Sequence, residues 1–314
     1  MTGVPLVTGA TGFAGSHLLD DLLRDHGAVA AWANPAGAGS EPRGNVHWQP
    51  VDLVDRAAVS RAIAQLKPSA VYHLAGAAHV GDSWADPVRP LRVNTLGTHH
   101  LLEAIRLADL QCPVLVAGSA LVYRPARDAL DEDSPIGPPN PYGFSKLTQE
   151  VVAARDAWSP VFLARPFNHA GPRQSPAYVA SAFAKQIAEI EAGLKEPVLS
   201  VGNLDARRDL TDVRDTVRAY RLLVEKGRPA RPYNICSGRA YRIGDLLEAM
   251  LARARKRIDV AVDPKRLRPA DVPLVLGNPS RIAAEVGWQA TIPIDDTLRD
   301  LLDYWRQRIA APRL

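Results

Sequence analysis

Three features of this 314-residue chain predict a doubly wound parallel α/β sheet that carries a smaller C-terminal α/β cap. Short apolar runs alternate with longer amphipathic stretches through the first half, the pattern of βαβ units. A glycine-rich turn, VTGATGFAG, joins the first apolar run to the first amphipathic stretch. After Asn168 the rhythm changes without an internal repeat or a low-complexity linker, so the second part is expected to pack on the first with no flexible hinge.

In chain order, the apolar run VPLVTG reads as a strand and the amphipathic FAGSHLLDDLLRDH as the helix that follows it. AVAAWAN and NVHWQPVDL are the next strands, DRAAVSRAIAQLK a helix and AVYHLAG a strand. The same alternation predicts a helix over Leu91–Leu107, a strand at PVLVAGSA, a helix over Pro141–Ala157 behind the proline-rich SPIGPPNP, and a strand at PVFLARPFN. Beyond it come a helix over Val179–Ala192, a short strand at PVLSVG, a helix from Val213, a strand at RPYNICSG, and helices near Ile243–Ala254 and Asp295–Ile309.

With 46% hydrophobic residues the chain can bury a large core, as one big domain or two joined ones. Cys112 and Cys236 lie far apart and form no CxxC, which points to buried thiols in a reducing compartment and gives no metal-binding spacing. The opening MTGVPLVTGATG lacks the basic and long apolar regions of a secretion signal. No later segment approaches the roughly 20 continuous apolar residues of a membrane span, so a cytoplasmic protein with no membrane partner is expected. The net charge of +4 comes from arginines scattered among nearly as many carboxylates, without interleaved aromatics. That pattern argues against a nucleic-acid partner and for nucleotide phosphate as the anion.

Gly9, Gly12 and Gly15 give the spacing GxxGxxG at the first strand-to-helix junction, with Thr11 and Phe13 between them. Such glycines allow a tight turn and let backbone N–H groups and the helix dipole approach a pyrophosphate. Asp52 and Leu53, after the third strand, stand where an adenine edge could be gripped. The second strand ends AAWANPAG, with no Asp or Glu to take a ribose 2′-hydroxyl, so a 2′-phosphate would not be repelled. Asn34, with Arg43 as a nearby cation, leans towards NADP(H) and leaves NAD(H) open.

In YGFSK, Tyr142 and Lys146 are one helical turn apart and share a face. The ammonium is expected to lower the phenol's pKa, so that Tyr142 can exchange a proton with a substrate oxygen, and to hold the nicotinamide ribose. Ser119 ends the strand PVLVAGS at the carboxyl edge of the sheet, where open α/β folds bind their ligands, and can hydrogen-bond the reacting carbonyl.

Together GATGFAG, HLAG, VNTLGT around Asn94, GSALVY around Ser119 and YGFSK resemble the extended short-chain dehydrogenase/reductases over nearly the whole chain. The resemblance implies a Rossmann domain over 1–167 with a return segment near 212–236, and a mainly nucleotide-sugar-binding domain over 168–314. It implies a catalytic set of Ser119, Tyr142 and Lys146, cofactor contacts that include Leu74, Ala75 and Gly76, and a sheet-supporting role for Asn94. In the family, the asparagine of an R-x-F-N segment contacts the sugar nucleotide, which corresponds to Asn168 in ARPFNHAGPRQSP. Arg208 in GNLDARRDLTDVRD and Arg268 in RPADVPLVLGNPSRI match positions at the diphosphate, a good partner for a guanidinium fork. For Arg208 a plain ion pair with Asp209 is the alternative. The helices over Leu91–Leu107 and Pro141–Ala157 match those that pair into a homodimer.

RPFNHAGPRQ, the run through GNLDARRDLTDVRD and YNICSGRA most resemble the GDP-mannose branch, especially reductases of GDP-4-dehydro-6-deoxy-D-mannose. A 4,6-dehydratase of that branch carries a glutamate two residues after its catalytic Ser/Thr, where this chain has Leu121. Leucine cannot take a C5 proton, which leaves reduction at C4 to GDP-D-rhamnose or its C4 epimer as the expected reaction. A nucleotide-sugar 4-epimerase uses the same three residues and is the alternative. A non-catalytic Rossmann binding protein would have had no use for the Tyr–Lys pair.

Overall fold

In a computed structural model the chain is described over residues 3–36, 44–266 and 272–311. It begins with β1 (Leu6–Thr8), α1 (Phe13–Leu22), β2 (Val29–Ala33), β3 (Val46–Pro50), α2 (Arg56–Leu66) and β4 (Val71–His73). Two short helices, α3 (Val80–Ala85) and α4 (Val88–Pro90), lead through a π-helical turn over Leu91–Leu96 into α5 (Gly97–Leu107). β5 (Val114–Ala117), a 3-10 turn over Ala120–Val122, α6 (Pro141–Ala154) and β6 (Val161–Pro166) follow. The remainder holds β7 (Asn168–Ala170), α7 (Val179–Glu191), β8 (Val198–Val201), β9 (Arg207–Asp212), α8 (Val213–Lys226), β10 (Pro232–Ile235), β11 (Ala240–Arg242), α9 (Ile243–Leu251), β12 (Asp259–Val262), β13 (Leu274–Val275), α10 (Ser280–Val286) and α11 (Ile294–Ala310).

Seven strands form one parallel sheet in the order β10-β6-β5-β4-β1-β2-β3. The apolar runs become central strands because both sheet faces are covered. In β1, Leu6 enters the core under α2 and α5, whereas its neighbour Val7 enters the opposite core under α1 and α8. The chain leaves β1 towards β2 and β3, then crosses back to β4 on the other side. That reversal opens a crevice at the carboxyl ends of β1 and β4.

The later chain forms a small sheet, β11-β9-β13 with β7 against β9, and a β8–β12 pair. α7, α9 and α11 close a separate apolar core over it through Phe183, Ile187, Leu246, Leu301 and Trp305. β10 returns to the large sheet beside β6, and α8 and α10 bury Val217, Leu223, Ile282 and Val286 beneath it. Among the described residues no helix is long and apolar enough to cross a membrane.

Several elements differ from the sequence expectation. β9, RRDLTD, lacks the apolar signature of a strand because its polar side chains are held in place by tertiary contacts. β12 is exposed along its whole length, so no buried face marks it. α6 stops at Ala154 rather than Ala157, where the Asp156 carboxylate accepts the N–H groups of Trp158 and Ser159 and turns the chain.

Candidate active site

The carboxyl ends of the large sheet and the underside of the cap enclose a cleft of about 840 Å³. Its floor begins at the β1–α1 turn. Gly9 sits at φ +67°, and a Cβ there would lie 2.7 Å from the Ala75 backbone nitrogen, so only glycine lets the turn rest against the chain leaving β4. Gly12 is the N-cap of α1 and has no side chain with which to cap the first turn. Thr11, Phe13, Gly15, Leu74, Ala75 and Gly76 line the same wall.

β2 delivers Trp32, Ala33 and Asn34 to the cleft, and Val51 and Leu53 add an apolar surface. Asp52 does not reach it. Extended neighbours alternate in direction, and with Val51 and Leu53 inward the Asp52 carboxylate turns outward and accepts the Val54 N–H at 2.9 Å. Arg43 lies outside the described residues.

Ser119, Tyr142 and Lys146 are buried and line the cleft together. Asn140 caps α6 by accepting the Gly143 N–H at 2.8 Å. A side chain at Gly143 would collide with the Leu121 carbonyl, so this glycine lets the Ser119–Leu121 turn pack directly on the start of α6. The Ser119 hydroxyl oxygen accepts the Leu121 N–H at 3.1 Å. Its own proton is left for the Tyr142 oxygen beside it.

Burial raises the Tyr142 pKa, the Ser119 hydrogen bond opposes that rise, and the nearby Tyr178 adds to it. The expected lowering by Lys146 is therefore corrected: in the protein alone desolvation wins, and the phenol keeps its proton. Burial also lowers Lys146, to about 7. Its ammonium donates to the Ala117 carbonyl and to Gln149 Oε1, each at 2.8 Å. Asn94, buried in the π-helical turn, accepts the Ala77 N–H at 2.8 Å and donates to Ser145 Oγ at 2.8 Å, tying the β4 loop to α6.

On the cap side Asn168, Leu121 and Arg208 line the cleft. Arg208 donates to the Val272 carbonyl at 2.7 Å. The alternative pairing with Asp209 is not formed there, because strand alternation sends Asp209 to the opposite face. Asp209 instead accepts Ser237 and Gly238 N–H groups at 2.7 and 2.9 Å. Arg268 lies outside the described residues. Lys265 and Arg266, three and two positions before it, line the cleft and carried no signal of their own in the sequence beyond the KR pair. His169 and Gln174, within the ARPFNHAGPRQSP run, and Tyr178, two residues past it, also line it and had no other sequence signal. Among the described residues no Asp or Glu lines the cleft. Asp82 is exposed and pairs with His79 at 2.9 Å.

The sequence model of the GDP-mannose 4,6 dehydratase family matches residues 6–301. The chain is 34% identical to a GDP-6-deoxy-D-mannose reductase of Pseudomonas aeruginosa, over 98% of this chain and 99% of the relative. In structure it is similar to RMD from Pseudomonas aeruginosa complexed with NADPH, with a TM-score of 0.85, 33% identity, and 98% and 100% of the two chains covered. The UDP-glucose 4-epimerase of Thermus thermophilus in complex with NAD is also similar, with a TM-score of 0.84, 29% identity, and 96% and 98% covered.

Proposed function

Because the chain belongs to the GDP-mannose 4,6 dehydratase family, we propose that it is a nicotinamide-dependent oxidoreductase that reduces the C4 keto group of GDP-4-dehydro-6-deoxy-D-mannose to give GDP-D-rhamnose. The observation that carries this reading is the composition of the cleft: Ser119, Tyr142 and Lys146 meet there, Leu121 stands beside them, and no carboxylate among the described residues lines it. The similarity to a GDP-6-deoxy-D-mannose reductase supports the same choice.

The residues present suit a nicotinamide dinucleotide. Gly9 allows a close backbone approach, and the open first turn of α1 suits a pyrophosphate. Asn34 follows β2 without a carboxylate to repel a 2′-phosphate, and the similar RMD carries NADPH, so NADP(H) is the preferred form. When bound, the cofactor supplies hydride to C4. Tyr142, kept protonated by burial, donates its proton to the C4 oxygen, and the Ser119 hydroxyl hydrogen-bonds that oxygen. Lys146 turns its remaining N–H to the cofactor ribose. Arg208, Lys265 and Arg266 attract the substrate diphosphate, Asn168 contacts the sugar nucleotide, and Arg268 is assigned beside them by its motif. We assign cofactor binding to 1–167 with 212–236 and substrate binding mainly to 168–314. The free, buried Cys112 and Cys236 suit the cytoplasm.

Incubation with enzymatically made GDP-4-dehydro-6-deoxymannose and NADPH, or separately NADH, tests this. The expected result is faster oxidation of NADPH and an NMR spectrum of GDP-D-rhamnose; no oxidation of either cofactor refutes it. The 4-epimerase reading draws on the similarity to the Thermus thermophilus enzyme. It would be selected by NAD⁺ retained through purification and by C4 epimerisation without net cofactor consumption.

Leu96, Leu107, Phe144 and Val151 remain exposed on the π-helical turn, α5 and α6. We assign the face that carries them to a homodimer, the pairing that the match of these two helices to the family implies. Light scattering at micromolar concentration is expected to give the mass of two chains, and Phe144→Glu to give one. A monomeric wild type would refute the assignment.

A further inference from the structure

We propose that Gln149 is a positioning residue for Lys146: its carboxamide is the last link of a buried hydrogen-bond chain that starts beside the glycine turn and sets which way the lysine N–H groups point. Thr8, His73, Thr98, Gln149 and Lys146 are all buried and come from β1, β4, α5 and α6. The inference rests on the reading of Lys146 as the holder of the cofactor ribose.

The direction of every link follows from one hydroxyl. Thr98 Oγ1 donates its single proton to the Asn94 carbonyl at 2.7 Å. It can therefore only accept at its two other contacts, from Gln149 Nε2 and His73 Nε2, both at 2.9 Å. His73 then carries its proton on Nε2, and its Nδ1 accepts the Thr8 hydroxyl at 2.8 Å. Thr8 Oγ1 in turn accepts the Ala75 N–H at 3.2 Å, beside the contact that requires glycine at position 9.

At the other end, the Gln149 amide nitrogen is committed to Thr98, so Oε1 must face Lys146. A flipped amide would set two donors against each other at Lys146 and two acceptors against each other at Thr98. Gln149 and the Ala117 carbonyl take two of the three ammonium donors, and the third is left for the cleft.

Both acceptors are neutral. The titratable groups that face Lys146 are His73 from β4 and Tyr142 on its own helix, while the π-helical turn and α5 offer Asn94 and Thr98, and β5 a carbonyl. Burial and the Lys146 charge lower His73 to about 3, so it stays neutral and the chain keeps its direction at ordinary pH. No carboxylate offsets the desolvation of the ammonium, which is why its proton is weakly held, at about 7.

The test is the pH dependence of NADPH affinity, read from nicotinamide fluorescence, alongside kcat/KM. Gln149→Glu puts a carboxylate of the same size against the ammonium. The alkaline limb of both profiles is expected to move up by about one pH unit or more. Gln149→Leu removes an acceptor and should move the limb down. Thr98→Val, which frees the Gln149 amide to turn, should move it in the same direction, and Thr98→Ser should restore the wild-type profile. A Gln149→Glu profile that superimposes on wild type, or a uniform loss at every pH with the limb unmoved, overturns the proposal and makes Gln149 a packing residue. If Gln149→Glu does not fold, by circular dichroism, the Thr98→Val and Thr98→Ser pair decides on the same criterion. The binding profile needs only NADPH, so a shifted limb without turnover of GDP-4-dehydro-6-deoxymannose refutes the substrate assignment and leaves Gln149 in place. Turnover with an unshifted limb does the reverse.

Discussion

Tyr142→Phe is expected to lower turnover of GDP-4-dehydro-6-deoxymannose by about 10²–10⁴-fold, the usual contribution of a positioned proton donor, while NADPH affinity stays near wild type. The variant deletes one hydroxyl at the start of α6 and leaves the ring to fill the same buried space. It touches neither the Gly9 turn nor the Lys146 ammonium, whose partners are Ala117 and Gln149. The loss should therefore appear in kcat and kcat/KM together, as for a group that acts in the transition state. Lys146→Ala should behave differently and weaken both NADPH binding and turnover. Stopped-flow measurement of NADPH oxidation checks the first result and fluorescence titration the second. Hydride transfer by the Phe variant within tenfold of wild type would remove Tyr142 from the mechanism.

The wild-type protein should bind GDP-mannose but fail to dehydrate it. Elimination needs a base within reach of C5, and Leu121 occupies the position where the resembling dehydratases carry glutamate. The cleft offers no replacement, since among the described residues neither Asp nor Glu lines it. Asp82 is held outside by His79, and Asp52 by the Val54 N–H. Losing a general acid–base costs about 10²–10⁴ in rate, so loss of water from GDP-mannose with NADP⁺ should fall at least about a hundredfold below the NADPH-linked reduction. Mass spectrometry of the nucleotide sugar measures both. Equal rates would make the protein a dehydratase and sink the reductase assignment.

Much of the site was legible because its chemistry imposes local spacing. A tight strand-to-helix turn demands glycine at positions such as Gly9, and the structure puts that residue at positive φ against the Ala75 backbone. Two side chains that work on one ligand from a helix must stand at i,i+4, so Tyr142 and Lys146 could be paired from five letters. Asn34 could be seen to end a strand without a carboxylate for the same local reason.

What escaped a linear reading depended on partners far along the chain. β9 is polar because its alternate residues serve the cleft and a buried knot around Asp209, which no hydrophobic period encodes. Asp52 could be named as a neighbour of the cofactor, but which way it pointed depended on its two buried neighbours.

The sequence by itself determined the doubly wound fold class, the glycine turn and the Ser119–Tyr142–Lys146 set, because strand and helix periods and tight turns are properties of neighbouring residues. Only the tertiary structure decided the protonation and direction of that set. Burial, not Lys146, governs Tyr142, and the Lys146 ammonium is aimed by Gln149, Thr98, His73 and Thr8, residues joined by contacts spanning 51, 25 and 65 positions of sequence. Desolvation and hydrogen-bond direction are set by what surrounds an atom in space, and no spacing along the chain carries them.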